Sequence, residues 1–532
     1  MERQRGPVAS SEANNTADSH SINYLTFPFG ISERPDGGLP TVIMNEAKNS
    51  GGRRVGMFTT DRPNVTEFDG VKIFPAQNPP MIADLFKLWF GTGYWPLLHS
   101  KAHTRDAITP DALKAMYPKP LVEKIAEDAE RAGRRPSTDV GSHELLHEFV
   151  RKYAPSQEVS RAFNRSFEQP FIDELSRAHV NRENVRVNFQ DYFFHPLVEK
   201  MAPLIRKQHG FTSLHLHTTI PMMPEHLPIP ESIEDLARAV SQVDVVLTHT
   251  EVYNERLRRI MERLGFRLPE FRTFDLGIDE DDMRRREGRI TMANYQSAIP
   301  DFDNLTDRQQ KLVHACFQAE RHGVPHQFGL YDRMDPGKGI DAVFLAVDAF
   351  LTEERKFLSM EELQAKYRFF NLMSMLSDLK DVDPTNMKAT YAEYVTRLGL
   401  ELEQKWPGIF LMAEGVSGKQ RDLLVALMRG RTVITGGAED GLNQVVMESS
   451  FINRDLPTAV IAGRNIGFVM QMEAAGMGHD LFAFDSGNVE QLTATLRDVV
   501  RYQTINPDYL VRQKRDLNRI IEARNSSMLL DF

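Results

Sequence analysis

Segments with strand character alternate with segments of helix character along most of this chain of 532 residues. In the first half, strand-like runs at 185–189, 213–217 and 243–247 are separated by helix-like runs. The helix after the third run has an apolar face that includes Leu257, and Gly265 is expected to end it in a left-handed conformation. This order predicts a parallel sheet that helices cover on both faces.

A second alternating region follows a stretch punctuated by glycine and proline at 322–325. It contains a polar segment around Asp332, a helix through Phe344, a strand at 432–435 and a helix at 489–500. We therefore predict two α/β halves of comparable size around a hinge near residue 325. The polar first 20 residues are expected to form a disordered tail.

Composition excludes several classes of protein. The chain has 64 basic and 74 acidic side chains and a net charge of −10, which argues against a nucleic-acid binder. Its one cysteine, Cys316, excludes a disulfide scaffold and a cysteine-based zinc site. It has no apolar run long enough for a membrane span and no apolar signal core at its start, so we expect a cytoplasmic protein.

Polar clusters follow the predicted strands, where ligands bind in open parallel sheets. These clusters are Gln190-Asp191-Tyr192, His217, Thr248-His249-Thr250, Asp332-Arg333 and Asp440-Gly441. His215 and His217 point to one face of a strand, but no further ligand lies at convincing spacing, so a metal site is not favoured. The Gly37-Gly38 pair and Trp95 taken alone are more typical of a turn and a core anchor.

The strongest local signal is the segment 331–341, which carries Arg333 and Lys338 on a glycine-rich turn that opens a helix. Two cations and backbone N–H groups at such a turn can bind a diphosphate and stabilise its charge as it leaves. The alternative is a solvated turn with a structural Arg–Asp pair.

A second signal is the segment 439–448. Gly441 permits a tight turn, and the following N–H groups open a helix that can bind an anion. Glu448, about two turns into that helix, is placed to accept ribose hydroxyls. The alternative is an ordinary acidic capping turn.

Seven motifs in order give the chain a more specific resemblance. They are Gly37-Gly38-Leu39, Trp95-Pro96-Leu97 with His99, Asp191-Tyr192, Leu216-His217, Gly277-Ile278-Asp279, Arg333 with Lys338-Gly339, and Asp440-Gly441-Leu442-Asn443 with Glu448. From about residue 24 to residue 505, the sequence resembles the trehalose-6-phosphate synthase family of retaining glycosyltransferases.

The resemblance implies an α/β protein with the GT-B fold, in which two Rossmann-like domains face each other across a cleft. The implied divisions are a tail at 1–20, an acceptor domain at 21–325, a nucleotide-sugar donor domain at 326–505 and a helical segment at 506–532. The resemblance implies no metal ion or other cofactor. It also implies that the leaving diphosphate takes the acceptor's proton on the same face, which retains the anomeric configuration.

The resemblance also implies a role for each matching residue. Arg333 and Lys338 would bind the diphosphate and Glu448 the ribose, and His217 and Asp440 would contact the sugar. Asp191 would lie near the reacting centre. The remaining donor-binding residues would be Gly38, Gly441, Leu442, Asn443 and Val445.

The sequence departs from the family at the acceptor's phosphate. The run Leu25–Gly30 lacks the family's arginine, and Phe86 stands where the family has a tyrosine. Glu439 replaces another arginine, and a third arginine has no clear match, although Lys380 or Lys388 could serve. Gln190 and Phe193 replace two histidines of a His-Asp-Tyr-His motif.

We therefore predict transfer of a hexose-like unit to a small polar acceptor without a phosphate, with Phe86, Trp95 and Tyr192 lining its site. Three alternatives stay open: a pseudo-glycosyltransferase that couples an activated cyclitol, trehalose-6-phosphate synthesis proper with Arg34 restoring the phosphate site, and a non-catalytic regulator that binds nucleotide sugar. Partners would be the two substrates, without nucleic acid or membrane, and a homo-oligomer is left open.

Overall fold

A computed structural model describes four N-terminal strands and most of the chain from residue 158 to residue 523. The gaps in that long stretch are 224, 226–227, 275–276, 279, 292, 300–301, 375–386, 415–420, 438–439 and 478–481. The predicted tail lies outside the described residues, and so do Phe29, Gly38, Phe86, Trp95 and Glu439.

The first sheet has eight described strands in the order β3-β4-β2-β1-β5-β6-β7-β8. Neighbouring strands are parallel, except that β3 and β4 are antiparallel. The strands are β1 Ser21–Thr26, β2 Arg54–Thr59, β3 Glu67–Phe68, β4 Val71–Pro75, β5 Asn184–Gln190, β6 Phe211–Leu216, β7 Val245–Thr248 and β8 Glu270–Thr273.

The second sheet has six described strands, all parallel, in the order β11-β10-β9-β12-β13-β14. These are β9 His326–Arg333, β10 Tyr367–Ser374, β11 Phe410–Glu414, β12 Thr432–Thr435, β13 Val460–Gly463 and β14 Phe482–Phe484. The predicted alternation of strand and helix is thus confirmed as two parallel sheets. The exact domain boundaries stay predictions.

Helices connect the strands. They are α1 Glu158–Val180, α2 His195–Lys207, α3 Glu231–Val240, α4 Glu251–Leu264, α5 Glu280–Arg286, α6 Tyr295–Ala298, α7 Asp307–Arg321, α8 Ile340–Glu354, α9 Met360–Lys366, α10 Met387–Lys405, α11 Arg421–Met428, α12 Gln444–Ile452, α13 Gly467–Ala474, α14 Val489–Ile505 and α15 Pro507–Ala523. Within the described part of the chain, none of them is long and apolar enough to cross a membrane.

Local sequence explains why α4 begins and ends where it does. The hydroxyl of Thr250 accepts a hydrogen bond from the backbone N–H of Tyr253, which caps the first turn. Leu257 and Ile260 are buried on one face, and Gly265 ends the helix at φ 71°. The apolar stripe and the terminal glycine predicted from the sequence are both confirmed.

Direct hydrogen bonds join segments that follow strands of the two sheets. The Tyr253 hydroxyl donates to the backbone carbonyl of Asp440 at 3.3 Å. The side-chain amide of Gln471 donates to the backbone carbonyl of His249 at 2.6 Å. These contacts bring the polar segments after β7 and β12 into one region.

Candidate active site

Polar residues follow three neighbouring strands of the first sheet, as the sequence predicts. Asp191 comes directly after β5, His217 directly after β6 and His249 directly after β7. Because the strands are parallel and adjacent, these residues share one edge of the sheet.

Asp191 has an unusual backbone and a buried carboxyl. Its φ of 62° and ψ of −178° lie in a region that is almost exclusive to glycine, so the position stores conformational strain. Its backbone N–H donates to the carbonyl of His215 at 2.6 Å. Its Oδ1 atom is buried and has no hydrogen-bond partner among the described residues. Strain and an unpaired carboxyl oxygen at a strand end are typical of a ligand site.

Burial raises the pKa of the Asp191 carboxyl to about 8. The backbone N–H groups of Tyr192, His217 and Thr218 act in the opposite direction and do not cancel this effect. The carboxyl is therefore mostly protonated near pH 7. A neutral acid of this kind can donate as well as accept a hydrogen bond.

The His217 imidazole is held on several sides. Its Nε2 atom lies 2.7 Å from Oε1 of Gln190. The Phe274 ring packs edge-on with its centroid at 5.1 Å, and the His249 ring lies at 5.4 Å. Burial, and then the neighbouring His249 and His215, keep the pKa of His217 well below its usual 6.5. The ring is therefore neutral near pH 7.

The segment from Arg333 to Gly339 forms the predicted turn between β9 and α8. A short 3-10 turn spans Pro336–Lys338, and the buried carboxylate of Asp335 accepts from the backbone N–H of Gly337 at 3.0 Å. Gly339 adopts φ 57° directly before the helix. Arg333 is exposed at the end of the strand, whereas only 12% of the Lys338 side chain is accessible.

Two carboxylates hold Lys338 in place. Its ammonium lies 3.3 Å from Oδ1 of Asp332 and makes a close ion pair with Oδ2 of Asp440. Burial alone would lower the pKa of Lys338, but these two carboxylates raise it above its usual value. Burial also raises the pKa of Asp332. The alternative expectation of a structural Arg–Asp pair is therefore wrong in detail, because the cation paired with aspartates is Lys338.

The loop between β12 and α12 packs closely on both neighbouring segments. A Cβ atom on Gly436 would lie 2.4 Å from the carbonyl oxygen of Gly339. One on Gly441 would lie 1.9 Å from the carbonyl oxygen of His217. Glycine is thus required at both positions, and the loop brings Asp440 to Lys338 and Gly441 to His217.

The predicted helix after Gly441 is α12, and its first turn carries no side-chain cap. Asn443 precedes it at φ 63°, and its amide donates to the hydroxyl of Thr435 at 2.9 Å instead. The backbone N–H groups at the start of α12 follow Leu442, which is 4% exposed, and Asn443. Such a helix start attracts anions.

The structure adds detail to two predicted site residues. Glu448 is the fifth residue of α12 and so lies in its second turn, nearer the start than predicted, and it is 8% exposed. Tyr192, predicted to contact an acceptor, is 1% exposed and packs against Phe193 at a centroid distance of 4.6 Å. The ring is part of the hydrophobic core, and its contact with an acceptor stays a prediction.

Asp332 and Gln190 belong to the predicted polar clusters, but neither was predicted to orient the other site residues. Asp332 pairs with Lys338, and Gln190 contacts His217. Their position was the one signal in the sequence. Asp332 is the second-to-last residue of β9 and Gln190 is the last residue of β5, and each stands next to a predicted site residue. Among the residues that the structure describes, no group of three or more His, Cys, Asp or Glu side chains is arranged to hold a metal ion.

No protein-family model matches the sequence, and no curated protein matches it. Solved structures do match. A structure from E. coli described as trehalose-6-phosphate bound with UDP-2-fluoro glucose is 14% identical, with a TM-score of 0.67 and coverage of 96% of this chain and 97% of that chain. An α,α-trehalose-phosphate synthase (UDP-forming) from Burkholderia xenovorans in complex with glucose-6-phosphate is 12% identical, with a TM-score of 0.65 and coverage of 96% and 98%.

The chain has the fold of the trehalose-6-phosphate synthases. The predicted resemblance and the predicted GT-B fold are confirmed at this level. The N-terminal domain of Candida albicans trehalose-6-phosphate phosphatase also matches, at 10% identity and a TM-score of 0.63, with coverage of 99% of this chain and 97% of that chain. At 10–14% identity the likeness establishes the fold, and residue roles must be argued from geometry.

Proposed function

We propose that this protein is a retaining glycosyltransferase that moves a hexose-like unit from a nucleoside-diphosphate sugar to an acceptor without a phosphate. The observation that carries the proposal is the meeting of three features at the facing sheet edges. Lys338 supplies a buried cation, the start of α12 supplies N–H groups, and His217 and Asp191 supply neutral polar groups.

The donor's diphosphate would bind between Lys338 and the start of α12. A diphosphate there would compete with Asp440 for the ammonium, and Asp440 would then be released toward the sugar hydroxyls. Arg333, exposed at the end of β9, is positioned to add a second cation. Together these charges would stabilise the diphosphate as the bond to the sugar breaks. Glu448, in the second turn of α12, would accept the ribose hydroxyls.

Retention follows from the proposed proton path. The bond between the anomeric carbon and the diphosphate oxygen breaks, and the acceptor oxygen bonds to that carbon on the same face. The acceptor's proton passes to the departing diphosphate. Asp191 is mostly neutral near pH 7 and so makes a poor nucleophile, which disfavours a covalent sugar–enzyme intermediate. Charge stabilisation by Lys338 and α12 would serve without a metal ion.

The nature of the acceptor is proposed from sequence, because Phe29 and Phe86 lie outside the described residues. Both stand where the resemblance implies phosphate-binding side chains. Burying a dianionic phosphate among apolar groups without a paired cation would cost several kcal/mol of solvation free energy. We therefore propose a neutral polyol, cyclitol, nucleoside or amino sugar as the acceptor.

A competition assay tests the acceptor proposal. UDP-glucose and GDP-glucose would serve as donors, with glucose 6-phosphate and unphosphorylated acceptors present together. We expect products from the unphosphorylated acceptors and little or no trehalose 6-phosphate. Efficient formation of trehalose 6-phosphate would overturn the acceptor proposal and leave the donor proposal standing.

A regulator that binds nucleotide sugar without turning it over is the second candidate. The observation that favours it is the close pairing of Lys338 with Asp440, which satisfies the cation before any ligand binds. The same assay separates the two functions. A protein that binds a nucleotide sugar but releases no nucleoside diphosphate with any acceptor would be the regulator.

A further inference from the structure

Gln190 is the last residue of β5, and it is fully buried. Its Oε1 atom lies 2.7 Å from Nε2 of His217, the residue that follows the neighbouring strand β6. The resemblance gives Gln190 no role, since the family has a histidine at that position. This buried contact affects where hydrogen lies on His217, a predicted sugar-binding residue.

The contact determines which nitrogen of His217 carries hydrogen. An amide oxygen accepts, so with Oε1 of Gln190 at this contact Nε2 is assigned as the donor. In a neutral imidazole the other nitrogen is then an acceptor without hydrogen. The Nδ1 atom of His217 is buried and has no hydrogen-bond partner in the described part of the chain. It is thus an unused acceptor on the residue whose carbonyl the loop after β12 approaches.

The surroundings keep the ring in this state. Phe274 and His249 fix its orientation, and burial together with His249 and His215 disfavours the charged imidazolium. The Gln190 amide adds no charge. Asp191, which follows β5, is mostly protonated. Asp440 lies beside Gly441 on the loop that approaches the His217 carbonyl, but its carboxylate is paired with Lys338. A carboxylate in place of Gln190 would favour protonation of His217.

We propose that Gln190 is a positioning residue that holds His217 as the Nε2–H tautomer, so that Nδ1 accepts a hydrogen bond from a hydroxyl or amino group of the transferred sugar. A sugar that presents a carboxylate at that point would face a lone pair and be rejected. The sugar part rests on the proposed function. The tautomer part does not, because it concerns the protein without ligand.

Nitrogen-15 NMR of the full chain, labelled at histidine and free of nucleotide, tests the tautomer directly. His217 is assigned by comparison with His217→Gln. We expect a pyrrole-type Nε2 and a pyridine-type Nδ1 near pH 7. A pyrrole-type Nδ1 in the unsubstituted protein would overturn the proposal.

Two substitutions at Gln190 show whether this residue is the cause. Gln190→Met keeps the volume and removes the acceptor, and we expect the two His217 nitrogens to show a mixture of tautomers. Gln190→Glu keeps the oxygen and adds charge, and we expect both nitrogens to become pyrrole-type near pH 7. Unchanged His217 signals in both variants would contradict the proposal, and melting curves show that each variant is folded.

Ser213→Ala is the matched control. Ser213 lies on β6 and its hydroxyl contacts Nε2 of His215 at 3.1 Å, so the substitution removes the same kind of contact from the neighbouring buried histidine. We expect it to change the His215 signals and leave the His217 signals in place. A change at His217 as large as that in Gln190→Met would show a general effect of packing and overturn the assignment.

Calorimetry tests the sugar part. Gln190→Met should weaken a nucleoside-diphosphate sugar about twofold, because an even mixture of tautomers leaves about half of the protein with Nδ1 as an acceptor, and it should leave the nucleoside diphosphate alone unaffected. Equal affinity of the variant and the unsubstituted protein for the sugar nucleotide would refute this part. Failure of every sugar nucleotide to bind the unsubstituted protein would instead refute the proposed function, with the tautomer result standing by itself.

Discussion

Gly441→Ala tests how closely the two sheets must approach for the site to work. An alanine Cβ would lie 1.9 Å from the carbonyl oxygen of His217 and 2.9 Å from its carbonyl carbon. Both are backbone atoms, and real Cβ contacts essentially never fall below 3.0 Å. The segment after β6 and the loop after β12 would therefore have to separate by more than about 1 Å.

The loop has little room to move away on its other side. The backbone N–H of Gly467 donates to the carbonyl of Asp440 at 2.9 Å, and a Cβ on Gly467 would lie 1.7 Å from the carbonyl oxygen of Gly441. Overpacking of this kind costs roughly 1–3 kcal/mol of stability. A shift of about 1 Å at a catalytic site lowers turnover about a hundredfold.

The assay measures melting temperature and the rate of nucleoside diphosphate release from a donor sugar. Gly476→Ala is the control, because its φ of 77° makes it strained while nothing lies within 4 Å of the added atom. Its backbone strain should cost roughly 1 kcal/mol and leave turnover unchanged. The reasoning is refuted if Gly441→Ala turns over as fast as the unsubstituted protein and melts no lower than Gly476→Ala.

Three further predictions concern charge. Arg333→Ala and Lys338→Ala should each lower turnover about a hundredfold in steady-state rates. Only Lys338→Ala should also lower stability in urea unfolding, by about 3–5 kcal/mol, because it leaves the largely buried carboxylates of Asp332 and Asp440 without their cation. Glu448→Gln should weaken a nucleoside diphosphate by roughly 1–3 kcal/mol in calorimetry, and an unchanged affinity would return Glu448 to a structural role. Asp191 has a folded pKa of about 8 against an ordinary 3.8, so its contribution to stability is present at low pH and is lost as the pH rises to about 8. Asp191→Asn should therefore melt higher than the unsubstituted protein at pH 8 and at a similar temperature near pH 4. Melting temperatures that change in parallel with pH in the two proteins would contradict the raised pKa of the buried carboxyl.

Local patterns made much of the fold predictable. The helix α4 follows from an apolar stripe and from Gly265, and both signals lie within one segment. The strand Thr432–Thr435 has the bounds that its β-branched run predicts. The predicted helix at 489–500 continues to Ile505, because helix ends depend on capping, which periodicity does not report.

Contacts between distant segments were not predictable in this way. Asp440 meets Lys338 only because the loop after β12 folds against the turn after β9, with glycine at 436 to allow the approach. Asp191 adopts φ 62° where its backbone N–H donates to His215 on the neighbouring strand β6, a contact that no local pattern reports. The burial of the Tyr192 ring was also not predictable, because a motif match suggests a contact with an acceptor but carries no information about exposure.

We infer that the loops after β9 and β12 hold a diphosphate, and titration calorimetry with nucleoside diphosphates measures this binding. A panel of UDP, GDP, ADP and dTDP would be titrated into the unsubstituted protein and into Arg333→Ala, whose exposed side chain leaves the fold intact. We expect at least one of the four to bind the unsubstituted protein, and we expect Arg333→Ala to lower the affinity for it about tenfold, the effect of one lost charged contact. Binding of none of the four, or equal binding by Arg333→Ala, would contradict the account.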